Sequence, residues 1–425
     1  MRMKRYKQYK PTGISWLPEI PAHWDTMRIR GLFKESIEKT VDDSGTLLSL
    51  SQYTGISLKS EAGKTGMFEA ESTTGYKIVH PGQFVMNIML AWNGSYAVSD
   101  LEGIISPAYC VFDFRIPCVK RYFDYLLRTK IYSGAFRTQS RGIIDSRLRL
   151  YPNKFYSFKA IVPPIEEQEK IVAFLDKKIT LIESCKCQRE RELQTLNELK
   201  QAEIASVVTR GLNPNVPMKD SGIPWIGQIP AHWTMMRIKN LLEESKVKSI
   251  DGHEQSLSLS KSAGVIPYEE KENRTMQSAS LVGAKVVQCG DVVFNRFKAR
   301  LFAISNYDGV VSPDYAVYKG KGRANLNYLV SLFGTEMYRA AFDRKASGIG
   351  DGFSRLYTAD LFSMYAIFPP IEEQNEIVKY IALKTNQIDS MIEALNAEID
   401  RLTEYKQRLI SDVVTGQLNV QDETA

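Results

Sequence analysis

The residues best suited to chemistry in this 425-residue chain are basic ones set among apolar and small polar neighbours. In Phe294-Asn-Arg-Phe-Lys-Ala-Arg300 basic and apolar side chains alternate. Successive side chains of a strand point to opposite faces, so this alternation predicts Arg296, Lys298 and Arg300 on one side. There they can reach phosphates or the N7 and O6 acceptors of guanine, while Asn295 suits the edge of adenine. The corresponding stretch Met86-Asn-Ile-Met-Leu-Ala-Trp92 keeps the asparagine, Asn87, but has Ile88, Leu90 and Trp92 where the other has basic residues. A second cluster, Arg137-Thr-Gln-Ser-Arg141-Gly-Ile-Ile-Asp-Ser-Arg147, returns as Arg344-Lys345-Ala-Ser-Gly-Ile-Gly-Asp-Gly-Phe-Ser-Arg355. Glycines among basic and small polar residues let a loop approach a sugar-phosphate backbone closely. Any one Lys or Arg reads equally well as solvated surface charge. The binding reading rests on recurrence, because both clusters appear twice with different contents.

Catalytic patterns are incomplete. Ala62-Gly-Lys-Thr65 resembles the end of a phosphate-binding loop, but that loop needs a glycine where Leu58 stands. Pro163-Pro-Ile165 and Pro369-Pro-Ile371 lack the Asp/Asn-Pro-Pro-aromatic pattern of amino-methyltransferases, and read as the prolines that open a helix. Pro313-Asp314 begins a nuclease-like signature with no Glu-x-Lys at a workable distance. His23, His80, His232 and His253 do not cluster; His23 and His232 stand beside tryptophans, where a packed, hydrogen-bonded histidine is the simpler reading than a metal ligand. Cys110, Cys118, Cys185, Cys187 and Cys289 are too few and too irregular for a disulfide framework or a zinc site.

The elements that must position the basic clusters come in two copies. Gly13-Ile-Ser-Trp-Leu-Pro-Glu-Ile-Pro-Ala-His-Trp24 returns as Gly222-Ile-Pro-Trp-Ile-Gly-Gln-Ile-Pro-Ala-His-Trp233, a displacement of 209. Pro163-Pro-Ile-Glu-Glu-Gln168 returns as Pro369-Pro-Ile-Glu-Glu-Gln374, and Val207-Val-Thr-Arg-Gly-Leu-Asn213 as Val413-Val-Thr-Gly-Gln-Leu-Asn419, both displaced by 206. Within the copies Leu48-Ser-Leu-Ser51 matches Leu257-Ser-Leu-Ser260, and Gly103-Ile-Ile-Ser-Pro-Ala-Tyr109 matches Gly309-Val-Val-Ser-Pro-Asp-Tyr315. A near-constant offset over half the chain means one structural unit built twice. The division expected is a repeat segment 1–24, a mixed strand-rich unit 25–162, a helix 163–210, a linker and second repeat segment 211–233, a second unit 234–368, and a helix with tail 369–425.

The helices show the clearest periodicity. Ile381, Ile388, Ile392, Leu395, Ile399, Leu402, Leu409 and Val413 fall at coiled-coil spacing, and Leu175, Ile179, Ile182, Leu193, Leu196, Leu199 and Val207 repeat it in the first half. Lys186 and Arg189 stand where the second half has Ile392 and Leu395, loosening the seam or marking a place for another protein. Each helix would run about 60 Å at 1.5 Å per residue. Neither buries its apolar stripe alone, so the two are expected to pack antiparallel as a coiled coil separating two α+β units.

A hydrophobic fraction of 44% and a charged fraction of 24% are those of a globular protein. The net charge of +6 is compatible with a polyanion partner without demanding one. The basic start is followed by polar residues, and no apolar run reaches membrane-span length, so a cytoplasmic protein without a membrane partner is expected.

The Ile-Pro-Ala-His-Trp openings, the asparagine strands followed by Gly-Ile-Ile-Ser-Pro-Ala-Tyr109 and Gly-Val-Val-Ser-Pro-Asp-Tyr315, and the twin Pro-Pro-Ile-Glu-Glu-Gln helix starts resemble the DNA-specificity subunit of type I restriction-modification enzymes. The resemblance covers essentially the whole chain. It implies two target-recognition domains, each reading half of a bipartite double-stranded DNA site, with the helices setting the spacing. It implies two modification subunits that bind S-adenosylmethionine and methylate adenine, and restriction subunits that use ATP and Mg to translocate and cut DNA. No catalysis or cofactor is implied for this chain. The alternatives are a coiled-coil interaction scaffold, or a single-chain DNA methyltransferase or nuclease.

Overall fold

The computed structural model describes residues 4–52, 54–61, 72–142, 148–260, 263–271, 280–297, 301–348 and 354–421. It divides into two compact units: Met1–Glu190 with Ala397–Ala425, and Arg191–Asn396. The fold is mixed, strand-rich in each unit, with two long helices, Ile165–Arg210 and Ile371–Val414.

In the first unit a four-stranded antiparallel sheet runs in the order Phe33–Ser36, Tyr109–Phe114, Phe84–Asn87, Tyr96–Val98. In the second unit Leu242–Glu244, Tyr315–Gly320, Val292–Asn295 and Phe302–Ile304 take the same order. Each central strand alternates large residues between two cores. Phe84, Phe112 and Phe33 face helices, while Val85 and Val111 face the hairpin of Leu48–Ser51 with Gly55–Leu58. Phe294, Tyr318 and Leu242 against Val293 and Val317 repeat the pattern. Paired helices, Lys120–Leu127 with Lys130–Gln139 and Leu326–Phe333 with Glu336–Lys345, cover the aromatic side. The second helix of each pair starts at a threonine, Thr129 or Thr335, whose side chain accepts from the amide of Tyr132 or Tyr338 and satisfies a donor that the helix leaves open. As the prolines predict, a strand ends just before each long helix, Lys159–Val162 before the first and Tyr365–Phe368 before the second.

The long helices run antiparallel. In the first unit Lys406 pairs with Glu183 at 2.7 Å and Arg189 with Glu398 at 3.2 Å. In the second unit Lys200 pairs with Asp389 at 2.6 Å, and the Tyr380 hydroxyl donates to Glu203. Leu175, Ile182 and Ile388 are buried in the seam, and Ile179, Ile392, Leu395 and Ile399 are partly buried. Lys186 is also partly buried, and Arg189 keeps its seam position through its ion pair. The expected register needs one correction: Leu199 is 50% exposed, and the seam position belongs to its neighbour Lys200. Stepping by three and four from Leu193 and Leu196 reaches 200, so the aliphatic residue at 199 falls one position outside the stripe.

Candidate nucleic-acid interface

The repeated borders meet each other inside each unit. The Glu167 carboxylate accepts from Trp24 Nε1 at 2.9 Å and lies 2.5 Å from His23 Nε2. Glu373 does the same with Trp233 Nε1 and His232 Nε2, both at 2.8 Å. Both tryptophans are fully buried, and an indole N–H there requires an acceptor. The glutamines that follow bracket the helix start. Gln168 accepts from the Val119 amide and donates to the Pro163 carbonyl, and Gln374 repeats this with Asn325 and Pro369. His23 and His232 are thus hydrogen-bonded side chains, as their place beside tryptophan suggests, though half exposed rather than packed.

The third border motif closes the lock from an unexpected side. Val413, Val414 and Gly416 pack on Trp24 in the first unit, and the Tyr122 hydroxyl donates to the Val414 carbonyl at 2.9 Å. In the second unit Val207 and Val208 pack with Trp233, and Tyr328 donates to the Val208 carbonyl at 2.9 Å. The end of each long helix therefore completes the unit opposite to the one that begins it.

Within each unit the structure brings the two basic clusters together. Backbone bonds of 3.0 Å run from the Leu150 amide to the Ile88 carbonyl and from the Leu356 amide to the Arg296 carbonyl. Asn87 and Asn295 each accept, through the side-chain oxygen, the amide two residues on, and so shape the turn that leaves the strand. Asn87 is buried, so its placement serves the turn rather than an exposed face. Asn295 borders a hollow of about 370 Å³ together with Lys271, Phe297, Ser312, Asp314 and Tyr315.

Arg296 departs from the expected alternation. Its strand ends at Asn295, and its side chain turns inward to Glu244, which also holds Lys285 at 3.3 Å, and to Thr358 Oγ1 at 3.3 Å. Arg296 Nε is buried without a hydrogen-bond partner, and the desolvated Lys285 ammonium beside it has its pKa lowered. The first unit keeps the equivalent pair, Lys77 and Glu35 at 3.1 Å, with Ile88 in place of the arginine. Lys298, Arg300 and Arg147 lie outside the described residues, as does Ala62-Gly-Lys-Thr65.

The other basic residues are at the surface. Arg137 lies in the last turn of Lys130–Gln139, with its guanidinium 5.1 Å from the Trp92 ring centre. Arg141 is exposed and bridges to Arg149 through two backbone hydrogen bonds. Lys345 is exposed in the last turn of Glu336–Lys345. Arg355 lies 4.6 Å over the Phe297 ring and donates to Asp314 at 3.1 Å. Its two-residue strand pairs Ser347 with Arg355, as Arg141 bridges Arg149 in the first unit. The structural counterpart of Arg355 is therefore Arg149, at a constant offset of 206, which the divergent glycine loops conceal in the sequence. Phe297 and Asp314 were not legible as interface residues, since in sequence an aromatic that backs an arginine looks like a core residue, and Asp314 stood out only as the start of an incomplete nuclease-like signature.

Among the described residues no three His, Cys, Asp or Glu side chains gather as a metal site, and no helix is long and apolar enough to cross a membrane.

No family model matches the chain. It is similar to the putative type I restriction enzyme MjaX specificity subunit of Methanocaldococcus jannaschii, 23% identical over 322 residues, covering 70% of this chain and 68% of the relative. It is similar to the type I restriction enzyme EcoKI specificity subunit of Escherichia coli, 20% identical over 329 residues, covering 75% of this chain and 68% of the relative. Among solved structures, a chain from a study of assembly and conformational transition in the type I R-M system matches with a TM-score of 0.66 at 16% identity, covering 94% of this chain and 99% of that one. The resemblance to type I specificity subunits carried by the repeated borders is thus matched by relatives of that name, and the two-unit, long-helix fold by a solved structure.

Proposed function

We propose that this chain is the specificity subunit of a type I restriction-modification complex, binding a bipartite double-stranded DNA site with one unit per half. The observation that carries this reading is the doubled frame: identical strand order and identical locking borders, with different residues displayed at the matched clusters. Two readers of one design with different reading residues suit a site whose halves differ. Arg137, Arg141 and Lys345 supply exposed cations for phosphates or base edges, Arg355 is a partly exposed one paired with Asp314, and Asn295 borders the hollow of the second unit. The chain is a non-catalytic targeting subunit in the cytoplasm. Adenine methylation with S-adenosylmethionine, and ATP- and Mg-dependent cleavage, belong to two modification subunits and to restriction subunits.

The test exchanges one reader. Residues 234–368 are replaced by the matching segment of a relative, and the methylated motif is sequenced in cells that also express the modification subunit. One half of the motif is expected to change while the other stays. A change in both halves, or a single undivided motif, would sink the reading.

A further inference from the structure

Arg355 and Asp314 lie side by side on the second unit, with Arg355 Nη2 donating to Asp314 Oδ1 at 3.1 Å. Both remain open to solvent, with side chains 35% and 57% exposed. The Phe297 ring backs the guanidinium at 4.6 Å, so the fork is held in one plane instead of sweeping freely. The Asp314 backbone is set by the turn that leads into the strand Tyr315–Gly320, where its amide donates to Ser312 Oγ at 3.4 Å. The surface thus presents a planar two-armed donor next to an acceptor.

A two-armed donor beside an acceptor suits a G·C pair better than an A·T pair, because adenine sets only the single acceptor N7 beside its N6 donor. The major-groove edge of a G·C pair shows two acceptors, guanine N7 and O6, followed by the N4 amino donor of cytosine. A phosphate is a poor fit, since the Asp314 carboxylate repels it at the place where the arginine would bind it. Resting on the DNA-reading role proposed above, we propose that the Arg355–Asp314 pair reads one G·C base pair, Arg355 donating to guanine and Asp314 accepting from the cytosine amino group. Phe297 is a positioning residue for that contact.

The first unit has a different set at the same place. Arg149 corresponds to Arg355, but Ala108 replaces Asp314 and Met89 replaces Phe297. The donor is retained there without the acceptor or the aromatic plate, so the two units present different chemistry from one frame.

The test uses the full chain assembled with its modification partner. Duplexes carrying the methylated motif are prepared with 7-deazaguanine at each guanine in turn, which removes N7 without altering the protein. Binding should fall at one guanine in the half read by residues 234–368. The variants Asp314→Ala and Arg355→Lys should each lower discrimination for G·C at that same position about 5- to 150-fold, with the other half of the motif unaltered. Phe297→Tyr, which keeps the plate, should retain the discrimination. No sensitive guanine in that half, an unchanged preference in both variants, or an equal loss on every sequence would overturn the proposal. If the unaltered complex shows no sequence preference at all, it is the DNA-reading role of the chain that fails.

Discussion

The Arg296 guanidinium is enclosed between Glu244 and Thr358, so its removal acts first on the fold. Arg296→Ala is expected to lower the stability of the second unit by about 1–3 kcal/mol, the usual cost of losing a mostly buried charged hydrogen bond, and to leave the methylated motif unaltered. Chemical unfolding combined with motif sequencing checks this, and a stable variant with a relaxed motif would show that the arginine reads DNA after all. Position 416 is a sharper structural case. Gly416 has φ +73°, and a Cβ there would lie 2.9 Å from Trp24 Cζ3 and closer still to Pro21. Gly416→Ala should therefore cost about 2 kcal/mol or more through backbone strain and overpacking, measured as a lowered unfolding midpoint. Little of this was visible at the level of single residues. An arginine one place past a strand end looks the same in sequence whether it turns toward solvent or toward a glutamate 52 positions earlier.

Whole elements were more legible, because their signals are repeated and periodic. The helix starts at Pro163-Pro and Pro369-Pro, the coiled-coil seam and the paired borders all follow from spacing that packing cannot easily override. The physical reason for the borders was hidden, since it lies in contacts across 140 residues or more. Glu167 and Glu373 each satisfy a buried tryptophan, and this accounts for the second glutamate of Pro-Pro-Ile-Glu-Glu-Gln in both copies. Glu373→Gln makes a direct test. The amide keeps one oxygen for Trp233 Nε1 and His232 Nε2, but it is uncharged and sets an NH₂ donor beside those two groups where the carboxylate has an acceptor, so about 1–3 kcal/mol should be lost from the second unit. Tryptophan fluorescence during denaturation would report it, and unaltered unfolding would mean that the carboxylate is dispensable. Lys200 marks the opposite limit: an aliphatic count selects Leu199, while the ion pair to Asp389 shows that register, rather than hydropathy, assigns the seam.

At the scale of the whole chain, the two units share one frame but are closed differently. The second unit is one continuous segment, and its lock runs from Val208 through the loop after Gly211 into the strand Met218–Asp220. The first unit performs the same closure with the two ends of the chain. Its lock includes Val414 and Gly416, and the Asn419 amide donates to the Lys4 carbonyl at 2.8 Å. Residues 4 and 419 meet at a position where the sister unit is continuous, so a connection between them is one that the frame already tolerates. A permuted chain that begins at Asn215, within the exposed stretch 212–215, and joins residue 425 directly to residue 1 should therefore fold both units. Its unfolding midpoint should stay within a few degrees of the original, equivalent to less than about 1 kcal/mol for units of this size. By contrast, deleting residues 413–425 removes the lock on Trp24 and should unfold the first unit while the second, which contains none of these residues, stays folded. Limited proteolysis followed by fragment mapping distinguishes the cases. Loss of the first unit in the permutant, or its survival in the deletion, would show that the meeting of the chain ends is not what closes it.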